Sequence, residues 1–331
     1  MDDLTHARSL CDQLGGTFCL TYLKGVDGAG ALRRLGGYPD TIRERPAAEL
    51  TGRPAGAVAL ELGAWSVVIE PGGALGADHA LLEVASRGTA AVSVLRHEAA
   101  AAHFGYAVDG TTITGFDPGY PAEETIWGED PGMLRHLMDA LGLRPPSDES
   151  ESAWQDAEAR AIVLAQRITG VRLPDRPLAV ARLSAELEPW FVVPAGGADL
   201  LRAGRRTPYA AELIAAAEAA GPEAQRAVAV AEVRRQATAL GLTDSPGLRD
   251  ALAAGSPVAM DSPLGHQIRA WLAAGGRPEL SWFLAALRGV LHPDPRVALL
   301  AALKPYTSDL PGLADPQARA GVLSALREQA G

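Results

Sequence analysis

The chain has 331 residues, enough for two domains at the usual size of about 100–200 residues each. Hydrophobic residues make up 47% and charged residues 21%, and no apolar run approaches the roughly 18 residues a membrane-spanning helix requires, so no membrane partner is expected. A formal charge of −10 without a basic cluster argues against a dedicated nucleic-acid binder, because phosphate neutralisation needs a basic footprint, and it permits a basic protein partner.

Met1 to His6 lacks the basic and apolar regions of a signal peptide, so a cytoplasmic location is expected. Cys11 and Cys19 are too few and too irregularly spaced for a metal set and read as free thiols, Cys19 within a strand. Lysine occurs only at Lys24 and Lys304 while arginine, alanine, glycine and proline are abundant, which is the usage of a high-GC bacterium.

Thr5–Leu14 has helical spacing and ends at Gly15-Gly16. Phe18, Leu20 and Tyr22 then alternate as a strand. Asp27 is placed to cap a helix that ends at Gly36-Gly37. Val58–Ile69 is a predicted hairpin around Gly63-Ala64, a glycine-first pair that suits a type II′ turn. In that register Leu62 faces Trp65, Leu60 faces Val67 and Val58 faces Ile69, so all the large apolar residues share one face. A helix over His79–Arg87, capped by Asp78 and closed by Gly88, is the expected cover for that face.

Ala90–Arg96 reads as the next strand. Phe104–Val108 and Thr111–Phe116 flank Asp109-Gly110, which suits a type I′ turn pairing Val108 with Thr111 and Tyr106 with Ile113. Asp130-Pro131 is the expected start of a helix carrying Met133, Leu134, Leu137, Met138 and Leu141. These elements predict an α+β fold: a mainly antiparallel sheet of about six strands with helices on one face.

Pro145–Ser152 is polar and reads as a hinge, after which Ser152 and Gln155 form a capping box for a helix over Ala153–Thr169. The domain boundary is expected at residues 172/173. Beyond Pro177 the only strand-like run is Phe191-Val192-Val193. Helix starts recur instead as Thr207-Pro208, Ser245-Pro246, Ser262-Pro263, Asp294-Pro295 and Asp315-Pro316, which predicts an all-α helical array, HEAT-like or an irregular bundle. Leu291–Leu303 is the segment closest to a HEAT turn and inner helix.

Few residues invite chemistry. Gly28-Ala29-Gly30 lacks the third glycine of a dinucleotide fingerprint, Arg33 standing there, and reads as a helix entry. Pro71–Gly76 precedes a helix but has no Lys-Ser/Thr pair. His97-Glu98 with His103 has the wrong spacing for a zinc helix, Ala101 occupying the second histidine position; no metal and no cofactor are expected. Glu123, Glu124, Glu129 and Asp130 crowd one loop, which reads first as a solvated acidic surface or helix-N-terminal charge and second as a site for a metal or a basic partner. Tyr120, Trp127 and Trp190 fall in loop-like text as surface anchors or as core plugs.

The runs Thr17–Asp27, Gly63–Gly72, Phe104–Gly110 and Gly115–Pro118 resemble an actinobacterial domain family catalogued as a domain of unknown function and numbered six-four-six-one. The resemblance spans roughly residues 15–170 and rests on strand, tryptophan and turn positions, so it implies a fold and brings no activity with it.

The reading that follows is a non-catalytic protein-binding or regulatory protein. Its candidate binding residues are Trp127, Tyr120, Trp190, His79, Glu123 and Glu124. Bacterial conflict or immunity is a setting by analogy with acidic domains that neutralise basic toxins. The competing expectation is an enzyme with a pocket between the domains or beside the Pro71–Gly76 loop, lined by His79, His97, His103 or Glu70; a small-molecule ligand stays open.

Overall fold

A computed structural model describes residues 2–50, 55–144, 156–195, 208–307, 313 and 316–328. The Pro145–Ser152 hinge, the Ser152–Gln155 capping box and the caps Thr207 and Asp315 lie outside the described residues. The chain forms two compact units, Met1–Val193 and Pro194–Gly331.

In the first unit Asp2 caps α1 (Asp3–Leu14), its carboxylate accepting from Thr5 N at 2.8 Å, and Ala7, Leu10, Cys11 and Leu14 form the buried face. β1 (Phe18–Lys24) follows, then α2 (Gly28–Arg34) with Asp27 at its N-cap as expected. The remaining elements are β2 (Arg43–Arg45), β3 (Gly56–Leu62), β4 (Trp65–Pro71), α3 (His79–Ala85), β5 (Ala90–Arg96), β6 (His103–Val108), β7 (Thr111–Phe116), α4 (Arg135–Ala140), α5 (Ala157–Thr169) and β8 (Arg182–Glu186). The strands make one antiparallel sheet in the order β2-β8-β3-β4-β1-β5-β6-β7.

The β3–β4 hairpin has the expected register, Leu62 opposite Trp65 and Val58 opposite Ile69, with Gly63 at φ 64° in the turn. Its large residues join Phe18, Leu20, Tyr22, Val92, Val94, Phe104 and Phe116 on one face. The helical layer expected there is present, but α1 and α5 build it. α5 is buried almost all round, from Ala161 through Ala165, because it lies between the sheet and α1. The His79 helix, proposed as the cover, packs instead on the opposite face: Leu81, Leu82 and Ala85 of α3 meet Ala57, Ala59, Val68 and Ala91 together with Leu32 of α2. Small residues alternate with large ones along β3, so the two faces accept layers of different depth.

Two further strands correct the count of six, and they also move the boundary. β8 pairs with β3 and β2, and its residues Arg182-Leu-Ser-Ala-Glu carry little β propensity; the ladder fixes them, not the pattern. The boundary at 172/173 therefore falls inside the first unit, whose last residue is Val193. Phe191-Val192-Val193 is no strand: Pro189–Phe191 is a 3-10 turn.

The β6–β7 hairpin has Asp109 at φ 48° and Gly110 at φ 84°, both positive as a type I′ turn requires, and Val108 opposes Thr111. Tyr106 opposes Thr114 and not Ile113, because a bulge inserts Ile113 after the first two pairs. The shift has a packing cause. Without it Phe116 would face His103 on the polar side; with it Phe116 opposes Phe104 and the rings stack at 4.9 Å in the core.

The second unit is helical, with α6 (Pro208–Ala219), α7 (Pro222–Ala239), α8 (Leu248–Ala254), α9 (Pro263–Ala274), α10 (Pro278–Val290), α11 (Pro295–Leu303) and α12 (Pro316–Glu328). Ser262 and Asp294 cap α9 and α11 ahead of proline as expected, whereas α8 begins after Gly247, two residues beyond Ser245. The Leu291–Leu303 segment ends in α11, buried from Ala298 to Leu303 and packed against α6, α7 and α10. It is the centre of an irregular bundle and not one rung of a regular stack.

Candidate functional site

β7 is the last strand of the sheet, and an open edge invites pairing with another chain. The chain covers it with its own continuation. Gly119 N donates to Asp117 Oδ1 at 2.8 Å in a tight turn, and a 3-10 turn at Glu123–Thr125 sends the backbone back along β7. Gly115 N donates to Trp127 O at 2.7 Å and Trp127 N to Gly115 O at 2.9 Å. Glu129 N then reaches Thr112 O, and Asp130 N reaches the bulge carbonyl of Ile113, both at 3.0 Å. Thr114 Oγ1 donates to Asp130 O at 2.9 Å. Held this way, Asp130 cannot start a helix; Gly132 N folds back on its carboxylate at 3.2 Å and α4 begins only at Arg135.

Because the returning segment is extended, neighbouring side chains take opposite sides. Ile126 packs into the α1–α5 side of the core. Trp127 lies on the α3 side, flat over Gly115: a Cβ there would stand 2.5 Å from the indole Cε2 and Cζ2. The indole stacks on His103 with centroids 6.0 Å apart, and His79 meets it edge-on at 5.8 Å, so two residues from the sequence expectation, Trp127 and His79, come together with His103. Trp127 nonetheless stays 38% exposed. Burial, then the charge of His79, holds the His103 imidazole below its ordinary pKa.

Inward along the same face lie Ser93, Thr21, Cys19 and Glu70, all buried. Ser93 Oγ and His103 Nε2 have no hydrogen-bond partner among the described residues. The Glu70 carboxylate is spent on the loop above it, Oε2 accepting from Leu75 N at 3.0 Å and Oε1 from Gly76 N at 2.8 Å. Burial pushes its pKa up to about 7 in spite of those two donors. Burial also raises the thiol of Cys19, which sits directly across the ladder from Glu70, so it stays protonated and a poor nucleophile. These groups clamp the Pro71–Gly76 loop to the sheet.

The other expected residues separate. Glu123 sits on the surface in an ion pair with Arg135 at 3.1 Å, and Glu124 is exposed. Tyr120 is 45% exposed. Trp190 is 8% exposed against Phe191, which makes it a core plug and removes it from the surface anchors. His97 accepts from Ala99 N at 3.1 Å within its own turn. Gly28-Ala29-Gly30 is a helix entry whose amides are used by Glu61 and Asp27. No group of three or more His, Cys, Asp or Glu able to hold a metal occurs among the described residues, and no helix there is long and apolar enough to cross a membrane.

A comparison with known protein families matches residues 2–189 to a family of unknown function, DUF6461. The chain belongs to that family. The family domain takes in all eight strands, from α1 to β8, which is wider than the span near residues 15–170 that the motifs suggested, and it ends beside the limit of the first unit. No curated protein and no solved structure matches the chain.

Stacking of His103 under Trp127 escaped the sequence reading. Its signal was the pair of strand glycines, Gly105 and Gly115, which face each other only after the bulge is counted.

Proposed function

We propose that this is a non-catalytic protein-binding protein that meets its partner through the loop wrapping the β7 edge. One observation carries the reading: of the four large hydrophobic residues exposed among the described residues, Tyr120, Trp127 and Met133 belong to this loop. Monomer surfaces bury or scatter such groups, and aromatic and methionine side chains are enriched where proteins meet. Asp117, Glu123, Glu124, Glu129 and Asp130 lie in the same stretch of sequence, and no Lys, Arg or His occurs between Asp117 and Leu134. That composition fits a basic partner, and electrostatic steering by such a surface speeds encounter. Neutralising a basic toxin in bacterial conflict fits the same chemistry.

The test is capture of proteins from the source organism by the full chain and by two surface variants, Tyr120→Ala and the double Glu123→Lys/Glu124→Lys. The expected partner is stoichiometric, held less tightly at high salt, and lost with both variants. A partner retained equally by both variants would place the interface elsewhere.

A further inference from the structure

We propose that the cavity between the Glu123–Thr125 turn and α4 is an anchor pocket for one apolar side chain of the partner, flanked in the partner's sequence by lysine or arginine. The inference rests on the protein-binding reading above and adds the chemistry of what is bound. The cavity measures about 230 Å³. An apolar cavity of about 150 Å³ holds a benzene ring, so this one suits a single leucine- or phenylalanine-sized group and no larger ligand. Its floor is apolar, from Pro121, Ile126, Met138 and Leu143, of which Met138 and Leu143 are almost fully buried. Methionine at such a floor adapts to differently shaped guests.

The rim is charged. Glu123 pairs with Arg135 at 3.1 Å and Asp139 with Arg144 at 3.8 Å, with every one of these side chains more than half exposed. Ion pairs so well solvated contribute little to stability, so their carboxylates can re-pair with an incoming cation at small cost. Glu124, also exposed, adds negative charge beside Glu123. An apolar pocket closed by a polar rim is the arrangement in which one anchor residue supplies most of the binding energy. The acids of the wrapping loop set the sign of the residues beside that anchor.

Three peptides test this on the full chain, each with two basic residues on either side of a central leucine, phenylalanine or serine. Affinity is measured by fluorescence polarisation, and contact by the 13C-methyl resonance of Met138. The leucine and phenylalanine peptides should bind at least about tenfold more tightly than the serine peptide and should alone shift the Met138 methyl. Glu123→Lys/Glu124→Lys should weaken all three alike. Equal binding of the three with an unmoved Met138 overturns the pocket while leaving the acidic protein-binding surface in place. Binding of none of them overturns the basic-anchor chemistry, and the capture experiment then decides the protein-binding reading separately.

Discussion

Glu70→Gln tests how the first unit handles its buried carboxyl. Glu70 is fully buried, and its pKa stands at about 7 against an ordinary 4.5. A raised folded-state pKa means the folded protein holds the proton more tightly than the unfolded chain. The stabilisation is therefore complete below the unfolded value near 4.5 and disappears as pH rises through about 7. At about 1.4 kcal/mol per pKa unit, that difference makes Glu70 responsible for a loss of about 2–3 kcal/mol between pH 5 and pH 8. His6 and His103, both held below their ordinary values chiefly by burial, act with the opposite sign. The quantity to compare is thus the difference between wild type and Glu70→Gln. Glutamine keeps one acceptor but leaves one of the Leu75 and Gly76 amides unpaired, a pH-independent cost of about 1–3 kcal/mol. Urea titrations with fluorotryptophan, read at Trp65 by 19F resonance, follow the first unit alone. The variant should be less stable at pH 5 and approach wild type at pH 8. A constant difference across that range would refute the account of Glu70.

Other perturbations separate the parts of the fold. Trp65→Ala removes a 7%-exposed core side chain and should cost about 3–5 kcal/mol; the same urea titration, read by circular dichroism, checks it. Gly115→Val should push the Trp127 ring off its shelf, seen as a new 19F environment for Trp127 and faster exchange of the Trp127 amide, with unit 2 unchanged. Glu232 is buried in α7, accepting from Arg235 Nε at 3.0 Å and Gln236 Nε2 at 2.9 Å. Glu232→Ala should destabilise the helical unit by about 3–5 kcal/mol, visible in the Trp271 resonance while Trp65 keeps its midpoint.

Local chemistry was legible where a residue's own neighbours decide its conformation. The Gly63-Ala64 and Asp109-Gly110 turns, the caps at Asp27, Asp78, Ser262 and Asp294, and the β3–β4 register all follow from such short-range rules. The α+β class with an antiparallel sheet and a helical second half followed from the periodicities. What stayed hidden depends on distant partners. β2 and β8 are short, polar segments made into strands by each other and by β3. Which helix covers the hairpin was decided by depth: the small-residue face takes the short α2 and α3, and the bulky face takes α1 and α5. The bulge at Ile113 was invisible locally, yet it selects the register that buries Phe116 and sets Gly105 opposite Gly115. Of the candidate residues, Trp127 and His79 were legible as loop and helix-start residues, but their meeting required the segment that returns along β7. Trp190 looked equally loop-like and is buried.

Hydrogen exchange of the full chain, with and without its captured partner, tests the binding surface directly. Protection is predicted in the peptides covering residues 117–144, with the interior strands β1 and β4 unchanged. Protection confined to the helical unit, or absent from residues 117–144, would contradict the assignment of the β7-edge loop as the interface.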